Sequence, residues 1–383
     1  MRFPLTTKHK SKHWYSNAVV WASQNGIVAG YGDGRFGTDD PITQEQLDVM
    51  ICRHKGENPV WTGDPALVAP ATRAEAATAF YASLNDNTPG ANAPSEGSPV
   101  VYMTTDITPE GLMAVYEKLN WQPSSKVAVK LSTGEPPASN YLRPELIADV
   151  VSAVDGTIVE CNTAYGGSRA QTAMHYQVAE DHGFTAIADF QILDENGSMS
   201  LPVVGGSRLT ENFVGAAFAD YDSYLVLSHF KGHAMAGFGG AIKNISIGLG
   251  SSEGKSWIHT GGTSKRGISG NQDAFLEAMG DAGKAVSDYL GNGERIVYVN
   301  VMNRLSVDCD CSGRPAEPDI HDIGILASTD PVALDQACID LVYAAEGNTS
   351  LVNRIESRNG LHTLEHAEEI GLGSRAYELV SID

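Results

Sequence analysis

The stretch at residues 157–182, TIVECNTAYGGSRAQTAMHYQVAEDH, decides the fold. It opens on a short apolar run, 157–161, turns at Gly166 and Gly167, and continues as a helical pattern over 170–182. A β-branched run ended by glycine reads as a strand, and the amphipathic segment after it as a helix. The same order recurs along the chain. Residues 127–131, 185–190, 223–229, 295–302 and 322–328 read as further strands, and 142–154, 272–290 and 331–345 as further helices. Strand then helix, repeated, predicts an α/β fold: a mostly parallel sheet with helices on both faces. Ligands of such sheets sit beyond the carboxyl ends of the strands, so the segments that follow strands are where chemistry is expected.

Outside that region the pattern changes. Residues 13–53 read HWYSNAVVWASQNGIVAGYGDGRFGTDDPITQEQLDVMICR. Ala18, Trp21 and Ala22 recur at helical spacing, and Gly26 closes that helix. A glycine-rich turn over 30–37 follows. Thr43 as N-cap and Gln46 three residues later form a capping box that starts a second helix. This plan resembles an S-layer homology repeat. Residues 71–75, ATRAE, before the apolar helix 76–84, resemble the start of the second helix of another, shortened copy. The resemblance implies a small all-α module at the cell envelope that binds cell-wall polysaccharide through Trp14, Asp33 and Arg73. About one and a half repeats are visible where such proteins generally use three, so the lone chain is expected to bind weakly. Residues 86–99 are polar and rich in Pro, Gly and Ser, the composition of a linker. The expected organisation is a helical module at 1–85, a linker at 86–99 and an α/β domain at 100–383.

Composition narrows the function classes. The 383 residues carry a formal net charge of −21, which repels a phosphate backbone and argues against nucleic acid as a partner. No run approaches the roughly 20 apolar residues of a transmembrane segment. Residues 1–12, MRFPLTTKHKSK, are basic without an apolar core, so they do not read as a signal peptide. The five cysteines are an odd number with only Cys309 and Cys311 close together, which fits retained thiols or metal ligands better than a disulfide framework.

Four segments carry candidate chemistry. The first is CNTAYGGSR at 161–169. Its glycines allow close backbone approach, and Ser168 and Arg169 fall at a helix start suited to a carboxylate or phosphate. The second and densest is SHFKGHAMAGFGGAIKN at 228–244, with His229, Lys231, His233 and Lys243 around Gly237, Gly239 and Gly240. Such glycine density is expected where backbone must approach a ligand. His259 follows, and histidine serves as both metal ligand and acid or base near neutral pH. The third is NRLSVDCDC at 303–311, where Cys309, Cys311 and Asp308 or Asp310 could ligate zinc or iron, with Cys161 or His321 joining. The fourth, DIGILASTDPVALDQ at 322–336, is strand, cap and proline-led helix, with Asp335 as a supporting carboxylate.

From about residue 100 onward, the strings VECNTAYGGSR, HFKGHAMAGFGGAIKN, NVMNRLSVDCDC and HDIGILASTDPVALDQAC resemble the domain-of-unknown-function family numbered 362, whose members are usually titled iron–sulfur centre proteins. Many relatives carry a ferredoxin-like cysteine insert shortly after His259. Here that place reads TSKRGISGNQ, so a ferredoxin-type 4Fe–4S insert is absent. More distantly, HAMAGFGGAIK is similar to the HYFAGFSGGAK signature of nickel-pincer lactate racemases, with His233 and Lys243 at the same spacing. That resemblance implies a nickel-pincer-type nucleotide, or a transition metal, held at Lys243 with Gly239, Gly240, Tyr165 and Ser168 around it. It further implies His233 as acid/base, His259 as metal ligand and Arg169 on a small hydroxy-acid substrate. A serine precedes Arg169 where the racemases have a second catalytic histidine. Two rivals stand beside this reading: a metal or iron–sulfur redox centre on Cys309 and Cys311, and a non-catalytic wall-binding protein.

Limited proteolysis should cut first within residues 86–99 and leave a stable fragment that begins near residue 100. First cuts inside 100–383 would contradict the three-part organisation.

Overall fold

The structure, a computed structural model, describes residues 27–28, 42–54 and 97–383. The chain divides into two compact units, Met1–Pro89 and Gly90–Asp383. In the first unit, helix α1 (Gln44–His54) begins at the expected capping box. Thr43 N–H donates to Gln46 Oε1 at 2.9 Å, and Gln46 N–H donates to Thr43 Oγ1 at 3.2 Å. Trp14, Asp33 and Arg73 lie outside the described residues, as do the shortened copy and most of the linker.

In the second unit the chain runs β1 (Val100–Thr104), α2 (Pro109–Lys118), β2 (Val127–Lys130), α3 (Pro144–Ala153), β3 (Thr157–Glu160), α4 (Thr172–Asp181), β4 (Phe190–Ile192), β5 (Ser198–Pro202) and β6 (Glu211–Gly215). It continues through β7 (Ser223–His229), β8 (Lys231–His233), β9 (Gly237–Gly239), α5 (Ser252–His259), α6 (Gln272–Tyr289), β10 (Ile296–Met302) and β11 (Gly324–Ser328). The last elements are α7 (Pro331–Ala344), α8 (Thr349–Ser357), α9 (His362–Glu369) and β12 (Glu378–Ser381). Eight strands form one sheet in the order β12-β1-β11-β10-β7-β2-β3-β4. The pairings of β11 with β1 and with β10 are antiparallel, and the others are parallel. The fold is α/β, as the repeated strand–helix order predicts.

Every residue of β7, β10 and β11 is buried, because both sheet faces are covered. Side chains alternate between two cores. Leu225, Leu227, Val297 and Val299 face α2 and α3 through Leu112, Val115, Ile147 and Val151. Tyr224, Val226, Ile296 and Tyr298 face α6 and α7 through Ala285, Val286, Val332 and Ala337. Helix starts follow the sequence signals. Asp330 caps α7 by accepting from Val332 and Ala333 N–H, with Pro331 at the first turn.

One expectation is corrected. The strand expected at 185–190 is displaced: Gly183 at φ 86° leads into a 3-10 turn at Phe184–Ala186, and β4 starts only at Phe190. His259 lies on the last turn of α5.

After β9 the chain enters a short helix (Ala241–Lys243) that continues as a π-turn (Asn244–Gly248). The buried Asp335 carboxylate, from α7, accepts from Ala241 N–H at 2.7 Å, Ile242 N–H at 2.9 Å and Asn300 Nδ2 at 2.7 Å. A Cβ on Gly240 would lie 2.2 Å from Asp335 Oδ1, so this glycine makes room for protein and not for a ligand. A Cβ on Gly239 would meet only flexible lysine chains, Lys243 at 3.1 Å and Lys231 at 3.8 Å. Gly240→Ala should therefore cost about 1–3 kcal/mol as overpacking, read as a fall of several degrees in Tm, with Gly239→Ala clearly milder. Equal effects would contradict the Asp335 clasp.

Candidate active site

The carboxyl ends of β2, β3, β7 and β10 meet in the middle of the sheet, and the loops leaving them enclose a cavity of about 230 Å³. His233, Lys243, His259, Arg169, Tyr165, Gly239, Gly240, Cys309 and Cys311 all line it. Ser168 does not. It sits in a 3-10 turn, and its backbone N–H donates to Glu135 Oε1 at 2.9 Å. Asp308 does not either, because its carboxylate accepts from Ala316 N–H at 3.0 Å on the outer side of its loop. His321 is exposed and away from the cavity. Cys161 lines the wall, but burial pushes its thiol up to about 12, which makes it a poor thiolate ligand.

Sequence reasoning missed the floor of the cavity. Lys130, the last residue of β2, reaches Glu160 Oε1 of the neighbouring β3 at 2.9 Å and Asn244 Oδ1 at 3.0 Å. Asn244 in turn donates to Ser228 Oγ at 3.0 Å and Leu227 O at 3.1 Å. Burial alone would raise the Glu160 carboxyl, but Lys130, Lys255 and Arg169 hold it at about 2. The available signal was a single charge at the end of each apolar run, VAVK and TIVE.

Arg169 arrives as expected from the turn after β3, yet its donors are already engaged. Nε bonds Glu135 Oε2 at 3.0 Å, Nη1 bonds Ser132 Oγ at 3.2 Å and Nη2 bonds Tyr165 OH at 2.8 Å. It forms a fixed cationic wall, and a substrate carboxylate would have to compete for it.

The short ribbon β8–β9 carries His233, paired in register with Gly237. It lies against the loop after β10: Gly232 N–H donates to Ser306 O at 2.8 Å, and a Cβ on Gly232 would lie 2.4 Å from Val307 O. Farther along that loop, the buried Asp310 carboxylate bonds His229 Nδ1 at 2.8 Å and pairs with Lys231 Nζ at 3.0 Å. Burial would raise this carboxyl, but Lys231 and His229 hold it well below the usual range. Cys309 and Cys311 flank Asp310 and are joined to each other in a disulfide, so in this form neither sulfur is a thiolate ligand.

The two histidines are set for different work. His233 Nδ1 accepts from Ala236 N–H at 2.9 Å and Met235 N–H at 3.3 Å, so its neutral ring keeps the proton on Nε2 and is a donor there. His259 Nδ1 donates to Lys255 O at 2.7 Å, which leaves Nε2 as a bare lone pair. Its ring stacks on Phe275, 4.8 Å between centroids. Burial, reinforced by Lys243, depresses both rings, His233 strongly and His259 to about 4, so both are neutral at pH 7.

Lys243 stands apart. Among the described residues no hydrogen bond or ion pair reaches its amine. Burial, with repulsion from Lys231, lowers it to about 7. The cavity wall carries five basic side chains, Lys130, Arg169, Lys231, Lys243 and Lys255, against two carboxylates, Glu160 and Asp310. In a chain of net charge −21 this is a local reversal of sign.

A family model described as domain of unknown function (DUF362) matches residues 127–340, more than half of the chain and all four strands that end at the cavity. The chain belongs to the DUF362 family. Beyond the DUF362 unit, a second model, the S-layer homology domain, matches residues 6–47 and points to association with the cell surface and its wall polymers. Among the described residues no helix is long and apolar enough to cross a membrane. No curated protein matches the chain. Among solved structures it is similar to the lactate racemase apoprotein from Thermoanaerobacterium thermosaccharolyticum, at 12% identity and a TM-score of 0.37, over 63% of this chain and 56% of that one. It is also similar to a protein from Thermotoga maritima, at 10% identity and a TM-score of 0.36, over 68% of this chain and 58% of that one. The chain thus spans less than two thirds of either.

An amine near 7 is about half neutral at pH 7, where an ordinary lysine is neutral in roughly one molecule in a few thousand. In chains whose Lys243 amine is free, trace acetylation followed by peptide mass analysis should show Lys243 reacting with a midpoint near pH 7. The surface lysines should still be gaining reactivity at pH 9. A Lys243 profile parallel to theirs would contradict this assignment.

Proposed function

We propose that the DUF362 unit is a cofactor-dependent enzyme of the cell envelope, acting on a small anionic hydroxy acid with racemase-like chemistry. The observation that carries this reading is the neutral-capable Lys243 amine sharing one cation-rich cavity with an Nε2–H donor on His233 and a bare Nε2 on His259. These groups fit a nickel-pincer-type nucleotide. Lys243 would supply the covalent link, His259 Nε2 a metal ligand, and the surplus of cations the counter-charge for a phosphate. When bound, such a group supplies a reversible acceptor for hydride. His233 is placed to exchange a proton with a substrate hydroxyl through Nε2, and its bonds to the Met235 and Ala236 amides hold the ring for that task. Arg169 and Lys130, each already paired with carboxylates, would set the field around the substrate without moving.

Purified protein should contain nickel and a mass adduct on Lys243. Lys243→Ala should lose both. His233→Ala should keep the adduct while exchange at the α-carbon of a 2-hydroxy acid falls about 10²–10⁴-fold, the usual weight of a general acid–base. Iron or zinc in place of nickel, with Lys243 unmodified, would overturn this reading.

A further inference from the structure

The C-x-C pair does nothing in the chemistry just described, yet it lines the same cavity. A ring nitrogen of His233 and the sulfurs of Cys309 and Cys311 all lie within 4.8 Å of one another. We propose that Cys309–Cys311 is a redox-active disulfide that exchanges with small thiols admitted to the cleft.

Three observations support an active rather than a structural bond. First, the bond closes a loop of only three residues, and so short a loop restrains the unfolded chain least. Second, the loop is already anchored without it. Asp310 ties it to His229 and Lys231, Asp310 O accepts from Glu135 N–H at 2.7 Å, and Ser306 O accepts from Gly232 N–H. Third, the sulfurs have a suitable setting. Cys309 is buried at the cavity wall and Cys311 is the more open of the two, so an incoming thiolate has one sulfur to attack and one to expel. The His233 Nε2–H donor and the Lys231 side chain line the same wall and favour a leaving thiolate. His233 is a donor there and not a ligand, since its Nδ1 is occupied by backbone amides, which weighs against a metal held by His233 and the two cysteines.

The exchange balances as follows. The thiolate of a small dithiol attacks Cys311 Sγ, the S–S bond breaks, and Cys309 leaves as a thiolate that takes up a proton. The second thiol of the donor, losing its proton, attacks the mixed disulfide and releases Cys311. The protein gains two electrons and two protons, and the donor becomes a disulfide. The reverse sequence reduces a disulfide compound in the cleft. None of this depends on a cofactor at Lys243.

The test uses the full chain, folded, with dithiothreitol and glutathione disulfide as probes. Peptide mass analysis after alkylation should show Cys309 and Cys311 disulfide-bonded as purified. Millimolar dithiothreitol should reduce both within minutes, with Cys161 and Cys338 still unlabelled and Tm within a few degrees. With glutathione disulfide, Cys309→Ser should form a glutathione adduct on Cys311, releasing one glutathione thiolate, at least tenfold faster than Cys311→Ser forms one on Cys309. Reduction only after unfolding, or a large fall in Tm on reduction, would make the bond structural and overturn the proposal. So would a pair isolated as thiols with one equivalent of tightly held zinc.

Discussion

The buried contact between Lys130 and Glu160 is the constraint on which the site depends. Two adjacent parallel strands end in opposite charges inside the protein, where an unpaired charge would be prohibitive. Their pairing fixes where β2 and β3 stop, holds Asn244 through its amide oxygen, and so places the segment that carries Lys243. The same pairing occupies the carboxylate nearest the cavity floor. Asp310 is likewise taken by His229 and Lys231. With both acids engaged, burial and the repulsion of Lys231 act on Lys243, and the amine is driven toward its neutral form. The reactivity assigned to Lys243 is thus a consequence of where the other charges are compensated.

The parts of the fold that were legible in the sequence are those buried on both faces. SYLVLSH at β7 and IVYVNVM at β10 are continuous apolar runs, and a doubly covered parallel strand has no other form. The β12 side of the sheet was not legible. VVYMT at β1 and ELVS at β12 are short, partly exposed and far apart in the chain, so only the tertiary fold pairs them. The two antiparallel pairings of β11 were hidden for a related reason, since an apolar run does not record its direction. At residues 185–190, apolar content suggested a strand too early in the chain because the left-handed turn at Gly183 is invisible to periodicity.

The site divides the same way. The spacing of His233, Lys243 and His259 was readable because a ribbon, a short helix and α5 follow one another locally. Lys130, Glu160 and Lys255 were not, because a lone charge at a strand end or in a helix ordinarily marks the solvent boundary. Only the sheet order sets β2 beside β3 and turns two such ends into one buried pair. The glycines carried a true signal with a mistaken cause: Gly240 is required by the Asp335 carboxylate behind it rather than by a ligand in front.

The contact between Gly232 and the backbone of Ser306 and Val307 has a consequence for how this site can change over time. The ribbon bearing His233 and the loop bearing the two cysteines touch main chain to main chain, with no side chain between them to absorb a displacement. Arg354 clamps the same carbonyl of Val307 from outside, at 2.7 Å. The two halves are therefore geared. An insertion in either string would shift the other, so the histidine and the thiol pair can be repositioned only together.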